Sequence, residues 1–220
     1  MKVRDRMSQN VITIGMDTNI NEAFSLMKEN NIRRLPVVEK GKVVGIVTLS
    51  DLNQAAPSSA TTLSIHELNY LLAKTKIKDI LPKKQQVINI EPENYIETAA
   101  KRMRSNRISG LPVVENDQLI GIVTETDIFD AFIDILGVQR THSRIDFYTS
   151  DRPGTVAAIA GMIAAKGKNI LNTVVYYDDK KGKYKMIIRI EELDCEDVVA
   201  DLKNSGYTVE SVIVSPESNL

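Results

Sequence analysis

Apolar residues recur at helical spacing at Ile20, Ala23, Phe24 and Met27, and again at Ile96, Ala99, Ala100 and Met103, so the sequence predicts two amphipathic helices with matching inner faces. A β-branched run, Val11-Ile12-Thr13-Ile14, precedes the first helix, and Leu35-Pro36-Val37-Val38 or Leu111-Pro112-Val113-Val114 follows each of them as a strand. A short turn containing Gly41 or Asp117 then leads to a second strand, Val43 to Thr48 or Leu119 to Thr124. The halves are copies: Ile32-Arg33-Arg34-Leu35-Pro36-Val37-Val38-Glu39 returns about 76 residues later as Ile108-Ser109-Gly110-Leu111-Pro112-Val113-Val114-Glu115. Each copy closes alike, Gly45-Ile46-Val47-Thr48-Leu49-Ser50-Asp51 answering to Gly121-Ile122-Val123-Thr124-Glu125-Thr126-Asp127. A further helix is expected near each closing Asp, and Gly137 suits the C-terminal cap of the later one.

Between the copies, Ala55 to Thr62 reads as a polar loop that ends in a helix start. There Ser64 caps, Glu67 reaches back as the third helical residue, and Leu63 with Leu68 forms a hydrophobic staple. Beyond Gly137 there is no third copy. Arg144 to Thr149 reads as a strand, Asp151-Arg152-Pro153-Gly154 as a turn, and Val156, Ile159, Ala160 and Ile163 as the inner face of a helix. The turn Gly167-Lys168-Asn169-Ile170 leads to a strand, Leu171 to Tyr177, and the charged turn Asp178 to Gly182 leads to another, Tyr184 to Ile190. A helix from about Asp194 to Asn204 and a last strand, Thr208 to Val214, complete a βαββαβ order, the split ferredoxin-like arrangement. The fold class expected for the whole chain is α/β, with α+β character in this last part.

Composition narrows the partners. The chain has 28 Lys and Arg against 29 Asp and Glu, interspersed rather than clustered, so no nucleic-acid partner is expected. No apolar run reaches the roughly 18 residues that cross a bilayer, and the opening Met1 to Arg6 lacks the apolar core of a signal peptide. A cytoplasmic location without a membrane partner is therefore expected. The single cysteine, Cys195, sits beside Asp194, Glu196 and Asp197, which oppose a thiolate. His66 and His142 stand apart, and no Ser-His-Asp order, phosphate loop or Cys-His metal spacing is present, so neither an enzyme nor a metal site is expected.

With these residues placed, the first 137 resemble a tandem pair of CBS modules, a Bateman module, on the Gly-apolar-x-Thr-x-x-Asp ending that both copies carry after Leu-Pro-Val. The remainder resembles an ACT domain, on Asp151-x-Pro153-Gly154 with Asn169-Ile170 some fifteen residues on. The order of the parts is similar to that of AcuB-type acetoin-utilisation proteins, which points to acetoin or carbon metabolism. The implied boundaries are about 1–56 for the first module, 57–75 for a linker helix, about 76–137 for the second module and 144–214 for the ACT domain.

The resemblance implies that Asp51 and Asp127 each accept hydrogen bonds from a ribose diol, while Thr48 and Thr124 turn to phosphate beside a helix N-terminus. An adenine would then lie against Ile32, Leu35, Pro36 and Val37, or against Ile108, Leu111, Pro112 and Val113, with Thr13 and Asn89 closing the pockets. Arg33 and Arg34 in one copy answer to Ser109 and Gly110 in the other, so unequal affinities are expected unless Arg102, Arg104 or Arg107 compensates. The implied ligand is an adenine nucleotide: AMP, ADP, ATP, S-adenosylmethionine, NAD or a cyclic dinucleotide such as cyclic di-AMP. In the ACT segment, Asp151, Gly154 and Asn169 would hold an amino acid or similar effector between two paired domains, or the segment only dimerises.

The function so implied is a regulatory sensor that binds a nucleotide and signals through a homodimer or an unidentified protein target. Its rival is a ligand-free dimerising scaffold, because Thr and Asp before a helix also serve as plain caps.

Overall fold

The computed structural model describes residues 1–56, 64–82, 86–150 and 152–216, with the backbone alone at 65, 68 and 69. Of the loop expected over Ala55 to Thr62, residues 57–62 lie outside the described residues, as does the staple of Leu63 with Leu68, while Ala55 still belongs to the preceding helix. Two compact units divide the chain, Met1–Phe129 and Asp130–Leu220. Among the described residues no helix is long and apolar enough to cross a membrane.

The first copy comprises α1 (Ile20–Glu29), β1 (Arg34–Glu39), β2 (Lys42–Thr48) and α2 (Leu49–Ala55). Then come α3 (Ile65–Lys74) and α4 (Ile77–Ile80), followed by the second copy: α5 (Ile96–Asn106), β3 (Gly110–Glu115), β4 (Gln118–Thr124) and α6 (Glu125–Leu136). The start of α3 follows the expected chemistry, with Ser64 N donating to Glu67 Oε2 at 2.8 Å and Ser64 Oγ accepting from Glu67 N at 3.3 Å. Gly137 closes α6 with φ +65°.

The hairpins repeat each other residue for residue. Arg34 stands opposite Thr48 and Gly110 opposite Thr124, and a bulge follows Val37 in one copy and Val113 in the other. Both turn on two residues of positive φ, Lys40 and Gly41 or Asn116 and Asp117, a geometry whose twist matches that of the flanking strands. The expected opening strand is reduced to one parallel bridge per copy, Ile14 with Val37 and Ile90 with Val113. Ile14 donates to Pro36 O at 3.0 Å and accepts from Val38 N at 2.8 Å. The chain then turns away at Gly15, whose N–H donates to Thr18 Oγ1 at 3.2 Å, so no ladder continues.

Helical periodicity delivers the core. Ile20, Ala23 and Met27 pack on Leu35, Val37, Val47 and Leu52, while Phe24 is only partly buried at the margin. Ile96, Ala99 and Met103 are the buried face of α5. Each copy also borrows from the other. A short turn of 3-10 helix at Val3–Asp5 docks on the second copy, where Val3 N donates to Asn94 O at 2.8 Å and Arg4 N to Pro92 O at 3.1 Å. Its counterpart α4 docks on the first copy: Ile77 N donates to Thr18 O at 2.9 Å, and the Ile77 side chain is fully buried in the first copy's core.

The second unit continues with β5 (His142–Thr149), α7 (Thr155–Ala165), β6 (Ile170–Asp178), β7 (Lys183–Ile190), α8 (Glu196–Asn204) and β8 (Thr208–Ser215). Its sheet is antiparallel throughout, in the order β6-β7-β5-β8. One face presents Ile145, Phe147, Met186, Ile188 and Ile190 to Ile159 and Ile163 of α7 and to Val198 and Leu202 of α8. Val156, expected on that face, is 52% exposed, so packing of α7 begins only one turn into the helix.

The opposite face carries a charged network. Asp146 accepts from Arg144 Nε at 2.7 Å and Nη2 at 2.8 Å, and lies 3.3 Å from Lys185 Nζ. Tyr148 OH stands 3.0 Å from Glu210 and 3.1 Å from Asp178, and burial together with these two carboxylates pushes it up to about 12. Burial acts to raise Asp146, yet the bonds from Arg144 and Lys185 outweigh it and hold the carboxyl below its ordinary range. A carboxyl so depressed contributes stability that is complete above its unfolded pKa of about 4 and is lost as pH falls through the lower folded value. Acidification below about pH 4 is accordingly expected to destabilise this unit, and Asp146→Asn to remove part of that acid sensitivity in urea denaturation. Equal acid sensitivity in the variant would exclude this network as a source.

Candidate functional site

The repeated Thr-x-x-Asp brings the carboxylate back onto its threonine in both copies, and in the first the cap is reciprocal. Thr48 takes extended backbone angles as the N-cap of α2, and its hydroxyl accepts from Asp51 N at 3.3 Å. Asp51 Oδ2 accepts in return from Thr48 N at 2.8 Å and from Thr48 Oγ1 at 2.7 Å. At the head of α6, Asp127 Oδ2 accepts from Thr124 N and Oγ1, both at 2.7 Å. Asp51 is exposed, and among the described residues its Oδ1 has no hydrogen-bond partner. One oxygen thus closes the helix while the other stays available.

A cavity of about 530 Å³ opens beside this cap. Thr48, Asp51 and Ile46 come from the first copy, while Val87, Ile88, Met103 and Ile108 of the second supply an apolar wall. Gln86, Ser109, Gly110 and Glu125 add polar groups, and three guanidinium side chains, Arg34, Arg104 and Arg107, complete the lining. None of these three has an ion-pair partner among the described residues, whereas Lys2, Lys42, Lys78, Arg144 and Lys185 each hold a carboxylate.

Arg34 crosses from its own copy to the other. Its Nη2 donates to Ser109 Oγ at 2.8 Å and its Nη1 to the Ser109 carbonyl, which also accepts from Glu125 N at 3.2 Å. A Cβ at position 110 would collide with the Arg34 guanidinium, so glycine there leaves the space that Arg34 occupies. Burial lowers the Arg34 pKa from its ordinary value, with Glu125 and Asp127 acting against the change, and the group remains a cation.

The structure brings Arg34, Thr48, Asp51, Ile108, Ser109 and Gly110 together in this cavity. It therefore joins Asp51 to Ile108 of the second copy's wall, while Ile32, Leu35, Pro36 and Val37, the other wall that the resemblance offered, do not line it. Leu35, Pro36, Leu111 and Pro112 are buried, the two leucines with no exposed surface, and the Pro36 and Pro112 carbonyls accept from Ile14 and Ile90. Ile32 packs at the edge of the first core, and Arg33 and Thr13 are exposed. Asn89 is exposed too, its carbonyl accepting from Arg102 Nη1 at 2.5 Å, which leaves Arg104 and Arg107 as the cavity's further cations. Thr124 and Asp127 form the matching cap but do not line this cavity. Sequence reasoning missed Ile46, Gln86, Val87, Ile88, Met103 and Glu125.

In the second unit, Gly154 is the N-cap of α7 with φ +88°, and Asp151 lies outside the described residues. Asn169 follows the other end of α7, where its Nδ2 donates to Glu191 Oε2 at 3.1 Å and its N–H to Glu192. The 11 residues of α7 separate the two by about 16 Å at the α-helical rise, so one chain does not gather them into a single site.

Known proteins resemble the N-terminal part of this chain. A CBS domain-containing protein of Dictyostelium discoideum is 35% identical over 136 residues, which is 61% of this chain and 92% of that protein. Several longer relatives are matched over only 51%, 49% and 23% of their own length. Among solved structures, a putative acetoin utilization protein (AcuB) from Vibrio cholerae is 30% identical with a TM-score of 0.52, covering 63% of this chain and 95% of that one. The crystal structure of CBSX2 in complex with AMP is 26% identical with a TM-score of 0.50, covering 61% of this chain and 97% of that one. The family model for the CBS domain matches residues 3–58 and 77–134, more than half of the sequence, and the protein thus belongs to the CBS domain family.

Proposed function

We propose that the N-terminal pair is a regulatory sensor whose Asp51 cavity takes an adenine nucleotide. The observation that carries this reading is the convergence, in one cavity of about 530 Å³, of a half-engaged carboxylate, an apolar wall and three guanidinium groups that have no ion-pair partner among the described residues. Asp51 Oδ1 accepts from the ribose diol, Ile88 and Ile108 flank the base, and the cations meet phosphate. The AMP complex of CBSX2 supports this choice of ligand, and no bond-making step is needed for a module that acts by differential binding. The residues of the Asp127 cap form the second, weaker site.

The C-terminal unit is read as an ACT domain with the ferredoxin-like strand order, through which occupancy reaches a homodimer partner or another protein in the cytoplasm. The likeness to AcuB supports a place in acetoin or carbon metabolism. An effector such as an amino acid at Gly154 and Asn169 requires contributions from two chains, given their separation along α7. One observation favours the rival scaffold: both Asp side chains already accept from the N–H and the hydroxyl of the threonine three residues earlier, as plain helix caps do.

Equilibrium calorimetry with AMP, ADP, ATP, S-adenosylmethionine, NAD and cyclic di-AMP tests the sensor. Saturable binding of at least one of them near one equivalent per chain is the expected result. Absence of heat for the whole panel at high micromolar concentration leaves the scaffold.

A further inference from the structure

We propose that Arg34 sets ligand selectivity at the Asp51 cavity, committing it to nucleotides with an anionic tail and against those whose tail is uncharged or cationic. This rests on the nucleotide reading above and supplies the tail chemistry that the reading leaves open.

The first ground is charge. Arg34, Arg104 and Arg107 converge without an ion-pair partner among the described residues, and Glu125 is the counter-charge that lines the same cavity beside Asp51. Like charges gathered in a partly enclosed space repel, and a phosphate tail relieves that repulsion while accepting several donors at once. A sulfonium or an ammonium in the same place adds to it.

The second ground is the resting contact of Arg34. Its guanidinium is held by a neutral carbonyl and a hydroxyl of Ser109. Bonds to a phosphate are charge-assisted and stronger, so exchanging Ser109 for phosphate is favourable and requires only side-chain rotation. Gly110 makes the resting position possible, because any side chain there would meet the guanidinium.

The third ground is asymmetry. Arg34 and Gly110 hold equivalent places at the heads of β1 and β3, opposite Thr48 and Thr124. The space between them admits one side chain, which the first copy provides. The guanidinium therefore lies between the two copies: it lines the Asp51 cavity from the side of Ser109 and Gly110, where Glu125 and Asp127 are the carboxylates that act on it.

Calorimetry on the full chain with adenosine, AMP, ATP and S-adenosylmethionine tests this. Wild type is expected to bind AMP and ATP about ten-fold or more tightly than adenosine, and S-adenosylmethionine more weakly than AMP. Arg34→Gln is expected to weaken AMP about ten-fold and adenosine by much less, with urea denaturation checking that the variant is folded, and Arg34→Lys to recover part of the loss. Adenosine or S-adenosylmethionine binding wild type as tightly as AMP overturns the assignment of Arg34 while the nucleotide reading stands. Equal weakening of adenosine and AMP by Arg34→Gln reduces Arg34 to a structural role. Failure of every compound to bind removes the nucleotide reading itself.

Discussion

Asp51→Ala is expected to lower adenine-nucleotide affinity by about thirty-fold or more, while Asp127→Ala leaves it within about three-fold. Hydrogen bonds to a charged group contribute roughly 1.5–3 kcal/mol each, and every 1.4 kcal/mol is about a factor of ten in affinity. The pair of variants is informative because the two residues have the same local duty. Each accepts from the backbone and hydroxyl of the threonine three residues earlier, so each alanine costs its helix a similar cap, on the order of 1 kcal/mol of stability. Only Asp51 lines the cavity. Calorimetry combined with urea denaturation separates the two effects. Were both variants to lose the same stability and neither to lose affinity, the caps would be only caps.

Ile77→Ala is expected to destabilise the first copy by about 2–5 kcal/mol, although position 77 falls in the segment that opens the second. The Ile77 side chain has no exposed surface and lies among Ile20, Leu35, Val47 and Leu52. Its removal leaves a cavity in a small core, and the loss is a large part of the roughly 5–15 kcal/mol that stabilises a typical domain. A chain ending at residue 75 is expected to lack a cooperative unfolding transition for the same reason. A loss below about 1 kcal/mol in urea denaturation of the full chain would mean that α4 rests on the surface of the first copy.

Much of the local structure is legible in the sequence because its causes are local. The period of Ile20, Ala23 and Met27 fixes a helix face, the Ser64 and Glu67 spacing fixes a helix start, and the β-branched Leu-Pro-Val runs fix the hairpins. The order of strands and helices after Gly137 is equally plain. What escapes is adjacency between distant parts. The repeat shows that two hairpins are alike, and it says nothing of which hairpin supplies the wall beside which carboxylate; both walls stay open for an adenine until the fold places Ile108 in the cavity of Asp51. Leu35 and Leu111 are apolar enough to line a pocket, and burial claims both for the core. Arg104 and Arg107 sit at the end of an amphipathic helix, where charge usually means solvent, and only tertiary placement turns them toward a cavity. Gly154 and Asn169 are close in sequence, yet a straight helix between them acts as a spacer. The short opening strands fail for another reason, since β-branched composition favours extension but only one residue in each copy finds a partner.

The exchange of opening segments has a consequence for inheritance. A change at Ile77 finds its compensation among Ile14 to Leu52, and a change at Val3 among the residues near Asn94. The duplicated halves are thereby bound to diverge as one lineage: neither can be deleted, or exchanged for a homologous half from elsewhere, unless its counterpart's borrowed segment travels with it.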